Sequence, residues 1–254
     1  MKFFIIGGSG YIGINFIFTI RDMDCSYVNY DTILGFDIMD EKSIYQTMKA
    51  CDAVIHLAAL PDVSYCEKNI EEAIEINVIG TSNVVNAAKT CEIPVIFIST
   101  FAAKTCHNVY GVTKHLAEKL VLRNGGVVLR LSNVYGGIGY LQKKRSAISS
   151  FIKCKLNDVP ATIYGDGSDE RDFIHVNDVC KAILASFGAR PGIYEICTKH
   201  STSIKNLADI IGVQYTMNPP RSVDINKIPY DSEEFDLGWT PKIRLEDGLK
   251  ELMK

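Results

Sequence analysis

Apolar residues in the first half of this chain fall into short unbroken runs separated by stretches of helical length. Phe3-Phe4-Ile5-Ile6 is the first run, residues 53–59, 94–100 and 127–131 follow with few polar positions, and Ser26-Tyr27-Val28-Asn29-Tyr30 reads as a second strand. Runs this short, without regular polar alternation, predict strands buried on both faces, as in a parallel sheet. Residues 70–90 read as one long helix with Ile74, Val78, Val84, Val85 and Ala88 on its inner face, and residues 110–123 as another. Alternating strand and helix predicts repeated βα units, that is, a doubly wound parallel α/β sheet. From about Tyr135 helices and short strands mix with loops rich in Gly, Asp and Pro. The pattern therefore predicts a sheet domain over residues 1–135, to which part of 163–187 returns, and a smaller α/β lobe over 136–254.

The turn after the first run is Gly-Gly-Ser-Gly-Tyr-Ile-Gly, with glycines at 7, 10 and 13. A strand that turns at once into a helix gathers bare N–H groups and a positive dipole end at one point, which suits a pyrophosphate. Gly7, Gly10 and Gly13 keep side chains out of the way of the tight turn and the phosphates. Asp31 ends the second strand, 18 residues past Gly13. A carboxylate there can accept hydrogen bonds from both hydroxyls of an adenosine ribose and would repel a 2′-phosphate, so NAD is the expected cofactor.

Composition narrows the partners. Apolar content of 47% and charged content of 22% over 254 residues are those of a globular protein with a large core. A net charge of −3 gives no electrostatic case for nucleic acid or an anionic membrane. No apolar run reaches the ~20 residues of a membrane span, and no signal peptide is visible. Eight cysteines are scattered without CxxC pairs, so neither a disulfide framework nor a metal site is expected. The expected compartment is a reducing cytoplasm.

Tyr110-Gly111-Val112-Thr113-Lys114 is a Tyr-x-x-x-Lys. At helical i, i+4 spacing the two side chains share a face. An ammonium beside the phenol would lower its pKa and let it exchange a proton with a sugar hydroxyl. Thr100 ends a strand at the carboxyl edge of the sheet, where ligands of open α/β folds bind. Its hydroxyl can reach the same substrate oxygen.

With these motifs, "HLAA" (56–59), "NVIGTSNV" (77–84), "FIST" (97–100) and "YGVTK" (110–114), the chain resembles the extended short-chain dehydrogenase/reductase family, a Rossmann-fold group. "LRLSNVYGG" (129–137), "YGDGSDERDFIHVNDV" (164–179) and "LGWTP" (237–241) are similar to its nucleotide-sugar epimerase/dehydratase branch. The resemblance implies roles. Gly7, Gly10 and Gly13 bracket the pyrophosphate, with the N–H groups of Tyr11 and Ile12. Asp31 holds the ribose, Asp37 and Ile38 contact adenine, and Leu57 and Ala58 line the groove. Lys114 binds the nicotinamide ribose as well as tuning Tyr110. Asn77 buttresses the site. Asn133, Arg171 and Arg221 hold a sugar nucleotide's diphosphate, and Asp224 its ribose. His175 lies in a family motif and is read as structural.

Two departures bear on chemistry. In the 4,6-dehydratases of the branch the Thr of the "ST" pair precedes an Asp-Glu acid and base, and in the decarboxylases a Glu takes the second place. Here those places are Phe101 and Ala102, which move no protons. The stretches from Thr100 to Tyr110 and from Asp31 to Asp37 are also shorter than in the family. The resemblance thus implies an NAD-dependent epimerase of a nucleotide-diphosphate sugar, acting at C4 of a UDP-hexose, and a homodimer. Two alternatives stay open: a reductase of 4-keto nucleotide sugars, and a non-catalytic NAD-binding sensor.

Overall fold

The computed structural model describes residues 1–142, 146–220 and 236–254. In chain order the elements begin with β1 (Lys2–Ile6), α1 (Tyr11–Ile20), β2 (Ser26–Tyr30), α2 (Glu41–Met48), β3 (Ala53–His56), α3 (Val63–Lys68), α4 (Ile70–Ile74) and α5 (Gly80–Thr90). They continue with β4 (Val95–Thr100), α6 (Ala102–Thr105), α7 (Val109–Arg123), β5 (Val127–Leu131), β6 (Asn133–Tyr135), α8 (Ala147–Leu156), β7 (Ala161–Tyr164) and β8 (Glu170–His175). The last are α9 (Val176–Ala185), β9 (Gly192–Ile196), β10 (Ser201–Ser203), α10 (Ile204–Ile211), β11 (Tyr215–Asn218) and α11 (Leu245–Leu252). The described residues form two compact units, one of 1–131, 180–195 and 236–239, the other of 132–179, 196–220 and 240–254.

The first unit carries a six-stranded sheet in the order β2-β1-β3-β4-β5-β9. β1 pairs in parallel with β2 and β3, and β4 in parallel with β3 and β5. Every residue of β3 and β5 is buried, which is why their sequences are apolar apart from His56 and Arg130 and show no alternation. Ile44, Met48, Val84, Val85, Ala88, Ala117 and Val121 pack with Phe4, Phe97 and Val128 in one core. Each such side chain contributes about 1.5–3 kcal/mol on burial. Phe3 meets Phe16 of α1, with ring centroids 6.1 Å apart. The common doubly wound order sets a third strand outside the second. Here the five residues between Asp31 and Asp37 hold one 3₁₀ turn (Thr32–Leu34), and β2 is the edge of the sheet.

The expected helix over 70–90 is continuous but not regular. A π turn, Glu75–Ile79, joins α4 to α5. The wider turn shifts the inward face. Ile74, expected inside, is 41% exposed, and Ala73, Asn77 and Thr81 are buried instead.

The second unit holds a mixed sheet, β10-β8-β6, and a parallel pair, β7 and β11. It begins at Ser132 rather than after residue 135, because β6 pairs with β8. Residues 180–195 and 236–239 return to the first unit, and 180–187 are the part of the expected 163–187 that does so. His175 is fully buried, edge-on to Tyr135 at 5.2 Å. Gly136, at φ +84°, lies so close that a Cβ there would stand 2.1 Å from the His175 Nε2. The Asp178 carboxylate accepts the N–H groups of Lys242 and Ile243 at 2.9 and 2.8 Å, which anchors the chain entering α11.

Candidate active site

The turn between β1 and α1 is built from close backbone approaches. Gly7 sits at φ +82°, and a Cβ there would stand 2.6 Å from the Ala58 nitrogen. A Cβ on Gly13 would meet Gly8 Cα at 2.5 Å. The Gly10 N–H donates to the Gly7 carbonyl at 3.1 Å. No side chain caps the first turn of α1, which starts at Tyr11 and Ile12, so its positive end faces a cradle of backbone alone. Asp31 lies against this turn. Its Oδ2 accepts the Ser9 N–H at 2.9 Å and its Oδ1 the Ile33 N–H at 3.1 Å. Each oxygen keeps a further lone pair for a ribose hydroxyl. Leu57 and Ala58 both donate to the Ile6 carbonyl, at 2.8 and 2.9 Å, fixing the end of β3 to that of β1. Asp37 Oδ1 accepts the Met39 N–H at 2.9 Å. Ile38 is 6% exposed and packs in the core against Gly80, so little of its side chain is offered to an adenine. These residues fit a dinucleotide: a Cβ at Gly7 or Gly13 would close the cradle, and a carboxylate stands where the ribose would lie.

Beyond the cradle, β4 and α7 bring together the residues expected to be catalytic. Helix α7 starts at Val109 because two acceptors meet its first turn. Asn108 Oδ1 accepts the Gly111 N–H at 2.7 Å, and Glu67 Oε1 accepts the Val109 N–H at 2.7 Å. Tyr110 is thereby fixed in that turn, and its phenol hydrogen-bonds the Thr100 hydroxyl. Thr100 Oγ1 also accepts the Ala102 N–H at 3.2 Å. The short stretch between Thr100 and Tyr110 is the single turn α6, pressed so close to α7 that a Cβ on Gly111 would meet the Ala102 carbonyl oxygen at 2.4 Å. Lys104 Nζ pins α6 to Glu195 of β9 at 2.5 Å.

The electrostatics correct one expectation. Lys114 is 2% exposed. Its ammonium donates to the Ile98 carbonyl at 2.7 Å and lies 3.9 Å from the centre of the Phe97 ring. It is not among the groups that shift Tyr110. Burial raises the Tyr110 phenol well above its usual range, the nearby Cys66 raises it further, and the Thr100 hydrogen bond lowers it. The phenol is therefore protonated in this state. Burial brings Lys114 down to about 7, opposed by the charge of Glu118. Shared helix face held as expected, but the lysine runs into the sheet because β4 offers a carbonyl there.

Several residues here escaped the sequence reading. Glu118 is fully buried, held by Arg130 through Nε at 2.9 Å and Nη2 at 2.7 Å, and by the Ser99 hydroxyl at 2.5 Å. Its signal was its place four residues after Lys114. His56 is also fully buried. Its Nε2 lies 2.9 Å from Thr81 Oγ1, which donates to the Asn77 carbonyl at 2.7 Å. Thr81 must then accept from His56, so the ring carries its proton on Nε2, and Nδ1 has no hydrogen-bond partner among the described residues. Burial first, and the Lys114 charge second, press His56 down to about 3. Asn77, in the π turn, accepts the Leu60 N–H at 2.7 Å and donates to Thr113 Oγ1 at 3.0 Å. It ties α7 to the strand-end loop.

In the second unit, Asn133 and Arg171 lie on the neighbouring strands β6 and β8. Asn133 Nδ2 donates to the Asp172 carbonyl at 3.2 Å. Arg171 donates to the Glu170 carbonyl at 3.2 Å and approaches Asp169 at 3.8 Å. Arg221 and Asp224 lie outside the described residues.

A parallel sheet with a glycine turn, an acidic residue on it, and Thr, Tyr and Lys at its carboxyl edge define a dinucleotide-binding α/β protein. Residues 3–197 match the model of the NAD-dependent epimerase/dehydratase family, and the chain belongs to that family. It is 28% identical to a Methanocaldococcus jannaschii protein named as a candidate UDP-glucose 4-epimerase, over 98% of this chain and 96% of that one. Its fold matches the UDP-N-acetylglucosamine 4-epimerase of Methanobrevibacter ruminantium solved with UDP-N-acetylmuramic acid. The TM-score there is 0.91 at 23% identity, covering 99% of this chain and 96% of the other. Thermotoga maritima UDP-glucose 4-epimerase, solved with UDP-glucose, gives 0.88 at 24% identity over 98% and 96%.

Proposed function

We propose that the chain is an NAD-dependent 4-epimerase of a UDP-hexose. The observation that carries this reading is the catalytic corner itself. Tyr110 is hydrogen-bonded to Thr100 with Lys114 one turn on, and the two positions after Thr100 hold the buried Phe101 and the helical Ala102. A dehydration or decarboxylation needs further proton-moving groups. Epimerisation at a carbinol carbon needs one acid/base and a hydride carrier. Two of the neighbouring folds belong to 4-epimerases, which agrees.

The chemistry that bound NAD would supply is reversible hydride exchange with C4, so that the hydride could return to the opposite face of the ketone. The chain does the rest. The Gly7, Gly10 and Gly13 turn with Tyr11 and Ile12 cradles the pyrophosphate. Asp31 holds the ribose, with Asp37 and Ile38 near the adenine and Leu57 and Ala58 along the groove. Tyr110 Oη takes the proton of the C4 hydroxyl and gives it back when the hydride returns. Burial resists that ionisation, so taking the proton requires a cation at the phenol; we assign that part to Lys114, whose ammonium must then leave the Ile98 carbonyl it holds here. Asn77 and Thr113 hold α7 in place. Asn133 and Arg171 grip the diphosphate, which suits the guanidinium fork. Arg221 and Asp224 are assigned the second guanidinium and the ribose carboxylate.

We also propose a homodimer. Ile70, Ile74, Ile79, Val112 and Leu116 are 40–50% exposed on α4, the π turn and α7, and α7 packs against both α4 and the π turn. No helix of the described residues is long and apolar enough to cross a membrane. We assign the protein to a reducing cytoplasm, where scattered cysteines stay as thiols.

Incubation with NAD and UDP-glucose, followed by proton NMR of the sugar, tests the reading. UDP-galactose should form to equilibrium without net NADH. Consumption of NADPH with a 4-keto sugar nucleotide, and no epimerisation, would point to the reductase.

A further inference from the structure

We infer that Asp172 is a positioning residue for the nucleotide end of the substrate, an inference that rests on Asn133 and Arg171 contacting the diphosphate. Asp172 lies next to Arg171 in β8, and its carboxylate is 6% exposed. That carboxylate gathers donors from two other segments. Oδ1 accepts the Ser132 hydroxyl at 2.7 Å. Oδ2 accepts the Thr198 hydroxyl at 2.8 Å and the His200 N–H at 3.2 Å. The Thr198 N–H is shared between the two oxygens, at 3.1 and 3.0 Å. The backbone of the same residue holds Asn133, through its carbonyl and the Asn133 amide.

The consequence is geometric. Successive side chains of a strand point to opposite faces. Arg171 therefore projects from one face of β8, while the Asp172 carboxylate on the other clamps Ser132 and the turn at 198–200. Ser132 immediately precedes Asn133, so the clamp fixes the strand end that presents Asn133 and the strand that presents Arg171 as one piece. A diphosphate bound by two groups on separate strands loses affinity when either strand shifts, since charge-assisted bonds depend on angle and distance. Asp172 touches no reacting atom in this scheme.

The test compares Arg171→Ala, Asp172→Asn and Ser132→Ala by calorimetric titration with UDP, titration with NAD, urea unfolding, and kcat and KM for the UDP-hexose. In Asp172→Asn, UDP binding should weaken about tenfold, the order of one hydrogen bond to a charged group. KM should rise with it, while kcat and NAD affinity stay within about twofold. Ser132→Ala, which removes one bond, should shift UDP affinity the same way by less. A purely structural role would lower kcat and NAD affinity along with UDP binding, and that pattern overturns the inference. Weakened UDP binding in Arg171→Ala beside unchanged binding in Asp172→Asn overturns it alone. Unchanged UDP binding in Arg171→Ala overturns the reading beneath it as well. If Asp172→Asn does not fold, Ser132→Ala and Thr198→Val decide: unchanged UDP affinity in both overturns the inference.

Discussion

Tyr110 is the residue whose type and place were legible from spacing alone, and whose ionisation was not. The i, i+4 relation to Lys114 is a property of the helix, but the phenol's pKa depends on burial and on where the ammonium goes, and β4 draws that ammonium to the Ile98 carbonyl. Tyr110→Phe should lower turnover by about 10²–10⁴-fold, the usual worth of a general acid/base. NAD affinity, read by fluorescence titration, should be kept. His56 was visible only as part of a motif. Its folded pKa of about 3 lies below the unfolded value of about 6.5. Between those values the unfolded chain binds a proton that the native chain does not. The stability this site contributes is complete above about pH 6.5 and is lost as the pH falls toward 3. His56→Asn keeps a donor for Thr81 and cannot titrate. Its urea-unfolding free energy should fall less steeply than the parent's between pH 6.5 and 5, by up to about 1.4 kcal/mol per pH unit.

At the scale of elements, the strands were legible because a strand buried on both faces is mostly apolar without alternation, and no partner is needed to see that. The π turn between α4 and α5 was not, because residues 70–90 carry no Pro and their only Gly, Gly80, is also tolerated inside a helix. What opens the turn is tertiary: the Asn77 amide spans the Leu60 backbone and Thr113. Helix α7 is held from the side opposite its N-terminal caps by Glu118 and Arg130. Removing one partner of such a buried pair strands the other's charge, which costs about 3–5 kcal/mol. Glu118→Gln should therefore lose stability on that order in urea unfolding. An Arg130→Met, Glu118→Met double variant should recover much of it.

For the whole molecule, the proposed homodimer would bury the apolar strip on α4, the π turn and α7. Leu116→Glu places a charge in its middle, and light scattering after size exclusion should then give the monomer mass where the parent gives a dimer. A parent that runs as a monomer at the same concentration removes the proposal. The sequence by itself determined the βα order, the glycine turn, Asp31 and the Thr-Tyr-Lys set, because each is a local pattern of period, backbone freedom or spacing. Only the tertiary structure decided where the second unit begins, which way Lys114 points, and which polar groups lie buried behind the site. Each of these depends on pairing between distant segments, such as β6 with β8, Glu118 with Arg130 and Asp172 with Thr198. Burial also shifts the ionisation of His56, Tyr110 and Lys114, and burial is not written in any single stretch of chain.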